Sequence, residues 1–249
     1  MTLAPARPEI PAPLLTHWSA WTGATPQQLA VLGADVALGA APTVVVVGDV
    51  GRTQPSWDGS VAQVTGVVDP AGNAVLSVPP GHDEWVRSML AVAGSLTDVR
   101  VALPSRLGAA HAFVYQGICR WAIDVPGVHV LPDVGEWLPT ADPAVPEWLM
   151  PFNGEVLVVL DDAGDYLAGV GLKVHDSHGV EISVGTSEAA RGRGLARRLV
   201  AQAARTLLSR GIVPTYLHAP DNVGSAKVAD AAGFPDRGWT ALGLFEPPR

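Results

Sequence analysis

Cysteine is nearly absent from this sequence, because Cys119 is the only one in the 249-residue chain. A single thiol excludes an internal disulfide framework and any zinc site built from several cysteines. Charged residues are also scarce, at 16% against 48% hydrophobic residues, which predicts a compact globular protein rather than a disordered one. Cys119 lies in an apolar run, so we expect it to be buried as a small hydrophobic residue.

Long apolar runs are absent as well. None approaches the roughly 18 to 20 residues that a membrane-spanning helix needs, and the longest candidate, residues 43–50, has the length of a strand. The first fifteen residues are broken by prolines and lack a basic segment followed by an apolar one, so we do not expect a secretory signal. We therefore expect no membrane association and a cytoplasmic location.

Positive charge is limited and local. The net charge of −8 argues against nucleic-acid binding, which needs many phosphate contacts from Lys and Arg. Yet six of the sixteen basic residues fall between Arg191 and Arg210. One short basic element in an acidic protein suggests a local anionic ligand, although the later arginines are better explained as the solvated face of a helix.

Several well-known catalytic motifs are missing. The sequence has neither the Walker pattern GxxxxGK[ST] nor the dinucleotide pattern GxGxxG, and no GxSxG nucleophile elbow. Its seven histidines show no HExxH or similar spacing, so we expect no metal.

The pattern of apolar residues and turn signals predicts alternating strands and helices. In the first half we predict helices over 25–40 and 83–94, and strands over 42–49, 61–79 (two strands joined by a turn), 98–104 and 112–125. In the second half we predict strands over 128–133, 155–162, 166–176, 180–186, 213–219 and 239–246, and helices over 194–211 and 225–233.

The stretch RGRGLARRLV, residues 191–200, combines a glycine–arginine loop with the start of the clearest helix. A helix N-terminus exposes unpaired N–H groups and carries partial positive charge, so it binds anions. Gly192 and Gly194 let the backbone approach a ligand, and Arg191 and Arg193 add charge-assisted contacts. The loop alone leaves an alternative open, because glycines before a helix can simply make a tight turn.

Two motifs resemble those of the GCN5-related N-acetyltransferases (GNAT). Arg191, Gly194 and Ala196 match the R/Q-x-x-G-x-G/A signature. About thirty residues later, Asn222, Ser225, Gly233 and Phe234 match the second signature, with a helix and a strand between the two.

The resemblance implies an α/β (α+β) fold, a GNAT-type mixed, mostly antiparallel sheet flanked by helices, with two strands that splay apart. It implies acetyl-CoA, or another acyl-CoA, as co-substrate for direct acyl transfer to the amine of a small molecule or protein. The residues implied to bind it are Val184, Thr186, Arg191, Gly192, Arg193, Gly194, Leu195, Ala196, Asn222 and Ser225.

Acyl transfer needs a base for the amine and an acid for the departing thiolate. Many GNAT enzymes place a tyrosine seven residues after the motif asparagine, where this chain has Ala229. We consider Tyr216 or Ser225 as the substitute acid. The alternative for Tyr216 is that it only packs in the core, and the alternative for Ser225 is that it is a small residue that lets the ligand approach closely. For the base we consider His218 and Glu181, although a lone histidine at a strand end is more often structural.

We place a boundary near Pro126, giving an N-terminal α/β lobe, 1–126, and a GNAT domain, 127–249. The first lobe carries no readable motif. Its strand–helix order is compatible with a degenerate copy of the same fold, which would wall the acceptor pocket.

The competing function is a non-catalytic acyl-CoA-binding or regulatory module, motivated by Ala229. The oligomeric state is not predicted.

Overall fold

The computed structural model describes residues 10–93, 96–109, 112–123, 128 and 130–247. Its centre is a ten-stranded mixed, mostly antiparallel sheet flanked by helices, with strand order β1-β3-β2-β10-β4-β9-β8-β7-β6-β5. The strands are β1 (Val44–Gly48), β2 (Val61–Val68), β3 (Ala74–Val78), β4 (Phe113–Trp121), β5 (Glu136–Leu138), β6 (Val156–Leu160), β7 (Tyr166–Val174), β8 (Gly179–Thr186), β9 (Val213–His218) and β10 (Thr240–Glu246).

Six α-helices are named in the described residues: α1 (Ala12–Thr22), α2 (Pro26–Leu29), α3 (Asp83–Ala93), α4 (Leu96–Arg106), α5 (Leu195–Ser209) and α6 (Val223–Ala231). The predicted helix and strands of the second half from residue 155 onward are confirmed. In α5 the apolar residues repeat every four positions, and Leu199, Ala203 and Leu207 are all buried against the sheet.

Strands from the two halves of the chain pair within one sheet. β4, from the first half, lies between β9 and β10 and is antiparallel to both. β10 in turn pairs on its other side with β2. The predicted units 1–126 and 127–249 therefore share one sheet, and their separation into lobes stays a prediction.

The two faces of the sheet carry different partners. α5 and Phe234 cover one face of β6–β9 in a cluster that includes Ile182 and Tyr216. α1 packs on the opposite face, where Leu217 of β9 lies against a cluster that contains Trp18 and Trp121. Because side chains alternate along a strand, successive residues of β8 and β9 point toward these two separate environments.

The prediction of a strand over 98–104 is wrong, because α4 occupies this segment. Val99 and Leu103 are the buried residues of α4, and their spacing of four is that of one helical face. The strand predicted over 128–133 is also wrong. Val128 and Val130 are helical, while His129 lies outside the described residues. Val128 is buried beneath α5, and Arg205 of α5 donates a hydrogen bond to its carbonyl.

The helix predicted over 25–40 is much shorter, covering only Pro26–Leu29. Its start is as expected: Thr25 caps it in a capping box with Gln28. The chain cannot continue as a helix through Gly33, because the φ of this residue is left-handed at 78° and its N–H donates to Asp69. Among the described residues, no helix is both long and apolar enough to cross a bilayer.

Candidate active site

The sheet opens between β8 and β9. These two parallel strands pair only from Gly179–Val213 to Glu181–Thr215. β8 then continues to Thr186 and β9 to His218 without further pairing between them. The edge of β8 beyond Glu181 therefore presents main-chain groups that an extended ligand can bind as a strand would.

A cleft of about 680 Å³ begins at this opening. Its size lies within the range of about 300 to 1,000 Å³ typical of ligand sites. Of the residues predicted from the sequence, the cleft brings together Glu181, Val184, Tyr216, His218, Asn222 and Ser225. Thr186 and the loop 191–196 lie outside its lining.

The glycine–arginine loop leads directly into α5. Gly192 and Gly194 have φ values of 76° and 75°, in the left-handed region that favours glycine. Gly194 is the N-cap of α5, and as a glycine it has no side chain to bond the free N–H groups of the first turn. The side chains of Arg191 and Arg193 are exposed. This arrangement can hold a phosphate group on backbone amides beside two guanidinium groups.

The arginines that follow in α5 have different roles. Arg197 lies against Gly194, with its Nε 3.1 Å from where a Cβ would be, so this position is crowded as well as left-handed. Arg198 donates to the carbonyl oxygens of Pro132 and Asp133 at 3.3 and 3.1 Å. Arg198 therefore holds a neighbouring loop, rather than being the free surface arginine that the helix pattern suggested.

Asn222 and Ser225 lie at the start of α6. Asn222 is the N-cap, and its Oδ1 accepts from the Ser225 N–H at 2.9 Å. The Ser225 hydroxyl lies 2.7 Å from the Tyr216 hydroxyl. Burial raises the pKa of Tyr216 and outweighs the hydrogen bond with Ser225 and the charge of Arg120, which both lower it. The phenol therefore keeps its proton. Tyr216 and Ser225 thus form a protonated hydroxyl pair at the wall of the cleft.

Ala229 lies in the core and is fully buried. It belongs to the cluster formed with α5, Tyr216 and Phe234. The side chain seven residues after Asn222 is therefore a buried methyl group. The hydroxyl groups that α6 and β9 contribute to the cleft are those of Ser225 and Tyr216.

Glu181 is the last residue of β8 that pairs with β9, and it points away from α5, because Val180 and Ile182 belong to the α5 cluster. Its carboxylate lies 2.5 Å from Lys173 Nζ and 3.7 Å from His175 Nε2. Burial would raise the pKa of Glu181, but the contact with His175 and the charge of Lys173 outweigh burial and lower it to about 2. Glu181 is a fixed negative charge at neutral pH.

His218 ends β9 and is almost completely buried. Its Nδ1 lies 2.8 Å from the carbonyl oxygen of Ala219, and because a carbonyl only accepts, Nδ1 must carry a proton. Nε2 is buried and has no hydrogen-bond partner among the described residues. When the ring is neutral, its lone pair therefore lies on Nε2, and because His218 lines the cleft, this is the ring nitrogen that can accept a proton there.

The cleft also contains residues that the sequence analysis missed, most of them from the first half. They come from the end of α1, the segment after β1, β4 and β10, and include Trp21, Trp57, Tyr115 and Phe245. Burial and then the negative charge of Glu181 raise the pKa of Tyr115. No short motif marks these residues, and they come together only in the folded chain. Among the described residues, no group of three His, Cys, Asp or Glu side chains could hold a metal ion.

The family model for the acetyltransferase (GNAT) family matches residues 119–234. This range begins inside β4 and ends at Phe234, so it contains both sequence motifs, the β8–β9 opening and all six predicted cleft residues. No curated protein sequence matches this chain.

Solved structures show weaker likeness. A GNAT-family protein from Novosphingobium aromaticivorans is 23% identical with a TM-score of 0.42, over 55% of this chain and 66% of its own, just under two thirds. A GCN5-related N-acetyltransferase-like protein from Streptococcus suis is 17% identical with a TM-score of 0.44, over 69% and 78%. A GCN5-related N-acetyltransferase from Kribbella flavida is 17% identical with a TM-score of 0.42, over 75% and 87%.

Proposed function

Because residues 119–234 of this chain belong to the acetyltransferase (GNAT) family, we propose that the protein transfers an acyl group from an acyl-CoA, with acetyl-CoA as donor, to the amine of a small molecule or protein. The observation that carries this proposal is the opening of the sheet after Glu181 and Thr215, with the glycine-capped N-terminus of α5 following β8 and the buried, unpartnered Nε2 of His218 at the end of β9. The cytoplasm is the location that we propose.

The acyl donor would be held along the edge of β8 and at α5. Main-chain groups near Val184 and Thr186 would bind the pantetheine arm, and Asn222 and Ser225 would contact it from α6. The amides of residues 192–196 would bind the pyrophosphate, since the loop exposes unpaired N–H groups. Arg191 and Arg193 would pair with its charge.

The acceptor amine would arrive from the face that carries Glu181. A carboxylate with a pKa of about 2 is a poor proton acceptor at neutral pH but attracts a cationic ammonium group. We therefore assign Glu181 to binding and orientation. His218 accepts the proton through Nε2, because this atom alone of the two ring nitrogens lacks a partner.

In the transfer step the bound ammonium group first gives a proton to His218, and the neutral amine nitrogen then forms a bond to the thioester carbonyl carbon. As the carbon–sulfur bond breaks, the departing thiolate takes a proton from the hydroxyl pair of Tyr216 and Ser225, and the pair regains a proton from the second one that the nitrogen releases. The hydrogen bond of 2.7 Å between these hydroxyls lets the one nearer the sulfur donate while the other re-protonates it. This pair replaces the tyrosine that the position of Ala229 lacks.

The second candidate is a non-catalytic module that binds acyl-CoA without transferring the acyl group. Ala229 favours it, because the position lies in the core and offers no proton. It keeps the loop and the β8 edge as a ligand site but gives no chemical role to Nε2 of His218.

Calorimetric titration with acetyl-CoA, followed by thiol release over a panel of amines, tests both candidates. Binding together with amine-dependent thiol release supports the transferase. Binding without release from any amine supports the module instead. If acetyl-CoA, propionyl-CoA and free CoA all fail to bind the full-length protein, both candidates are wrong.

A further inference from the structure

The acceptor side of the cleft is aromatic. Trp21, Trp57, Tyr115 and Phe245 line it, and all four rings are half-buried. Each comes from outside the family-matched range 119–234. These four rings therefore lie outside the part of the chain that the family model describes, and they line the same cleft as the carboxylate of Glu181.

Resting on the proposed transferase function, we propose that the acceptor is a compact amine whose ammonium group is joined to a flat aromatic body, rather than a lysine on a protein surface. The ammonium group would meet Glu181 at the inner end of the cleft. The aromatic body would lie among the four rings.

The segment of the first half that carries Trp57 is held at the cleft by contacts with the second half. Trp57 stacks on Phe152, with ring centroids 5.6 Å apart and an interplanar angle of 22°. Phe152 in turn lies directly on Gly171 of β7, where its ring atoms come within 2.6 Å of the position a Cβ would take. The glycine is needed for this close approach, which ties the segment carrying Trp57 to the second half of the chain.

Arg52 also holds the segment that carries Trp57. Its guanidinium donates to the carbonyl oxygen of Trp21 at 3.1 Å and to the Thr65 hydroxyl at 3.0 Å. Arg52 is itself buried, and it also pairs with Asp49. These contacts hold Trp21 and Trp57 in place before any ligand binds, so the aromatic wall is preorganised.

Polarity and shape together select the ligand. Aromatic faces attract cations. Glu181 supplies the carboxylate of the cleft lining; its Oε1 pairs with Lys173, and its Oε2, 3.7 Å from His175, is the oxygen that an ammonium group would contact. A lysine in a polypeptide would bring flanking backbone, whereas the cleft of about 680 Å³ must also hold the reacting end of the donor.

The test compares 2-phenylethylamine, n-butylamine and a lysine peptide with blocked ends as acceptors for the full-length protein with acetyl-CoA. We expect 2-phenylethylamine to give the highest kcat/KM, about tenfold above n-butylamine, because its ring is buried among the aromatic side chains. We expect Trp57→Ala to raise the KM for 2-phenylethylamine about tenfold and Trp57→Phe to restore most of it. The KM for acetyl-CoA should stay unchanged in both variants.

Trp85→Ala is the matched control, because this ring packs under Arg106 in the region of α3 and α4, outside the cleft. Preference for the lysine peptide or for n-butylamine, or an equal effect of Trp57→Ala and Trp85→Ala, would overturn the inference. Direct calorimetry with 2-phenylethylamine separates the two proposals. If acetyl-CoA fails to bind, the transferase function is wrong, whereas binding of acetyl-CoA without any Trp57-dependent binding of the amine contradicts this inference alone.

Discussion

Arg120 of β4 and Asp230 of α6 form an ion pair with Nη1 and Oδ1 2.5 Å apart. Arg120 is only 3% exposed, and it also donates to the carbonyl oxygen of Phe234 at 3.1 Å. A side chain from the first half thus holds the helix that begins with Asn222 and Ser225. The acyl-donor side of the cleft consequently depends on a residue outside the predicted 127–249 domain.

We expect Arg120→Met to lower the free energy of unfolding by about 2 to 3 kcal/mol, since charge-assisted hydrogen bonds are lost in the interior. Displacement of α6 should also raise the KM for acetyl-CoA. Urea denaturation and steady-state kinetics measure the two effects. Arg210→Met is the control, because Arg210 pairs with Glu155 where both are about half exposed, and such pairs contribute at most about 1 kcal/mol. Equal effects of the two variants would contradict the assignment.

The shared sheet leads to a prediction about truncation. In a fragment of residues 127–249, β9 would lose β4 as its partner and β10 would lose both of its neighbours, β2 and β4. We expect this fragment to show no cooperative thermal unfolding, measured by circular dichroism, because its exposed strand edges have no partners. A fragment that starts at residue 112 should regain part of the structure. Cooperative unfolding of 127–249 with full acetyl-CoA binding would show that the first half is dispensable.

Local patterns predicted the second half well, because its elements carry strong local signals. Apolar spacing of four marked α5, and the two motifs marked the loop before it and the start of α6. The place of β4 could not be predicted in this way, because β4 pairs with residues about 100 positions away in β9 and about 120 to 130 positions away in β10. α4 was mistaken for a strand because Val99, Val101 and Leu103 fit alternation as well as helical spacing, and burial of Val99 and Leu103 decides for the helix.

The site shows the same division. Motif matching located the residues that are proposed to bind the donor, and it named Tyr216, His218 and Glu181 among the residues that line the cleft. It could not assign their states. The tautomer of His218 depends on the carbonyl of Ala219, and the fixed charge of Glu181 depends on Lys173 of the neighbouring strand β7 and on His175 just after it. No sequence pattern marks Trp57 as a cleft residue, because its position depends on stacking against Phe152, which lies on Gly171.

Two glycines give a matched test of the phosphate loop. Gly192 and Gly211 have φ values of 76° and 75°, and a Cβ at either would meet no atom within 4 Å. Alanine at either position should therefore cost about 1 to 2 kcal/mol of stability through the left-handed backbone alone. We expect only Gly192→Ala to weaken acetyl-CoA binding, by about tenfold, because its methyl group would stand between backbone amides and the phosphates. Calorimetry measures both, and equal affinity in the two variants would argue against phosphate binding at this loop.

The ionised state of Glu181 makes the stability of the protein sensitive to acid. Its pKa is lowered from 4.5 to about 2 on folding, so the folded state favours the charged form. The resulting stabilisation is fully present above about pH 4.5 and is lost as the pH falls toward 2. We expect the free energy of unfolding to decline less steeply over this interval in Glu181→Gln than in the native protein. Urea denaturation at several pH values between 2.5 and 6 measures the difference, and parallel curves would mean that Glu181 titrates normally.

The separate effects on kcat and KM distinguish the base from the orienting carboxylate. His218 Nε2 is proposed to accept the proton of the amine, so His218→Gln should lower kcat by about 100-fold while the KM for the amine changes little. Glu181, with a pKa of about 2, is a poor proton acceptor over the whole assay range, so Glu181→Gln should raise mainly the KM for the amine. Steady-state kinetics with saturating acetyl-CoA measure both variants. A large loss of kcat in Glu181→Gln, with kcat kept in His218→Gln, would reverse the two assignments and make the carboxylate the base.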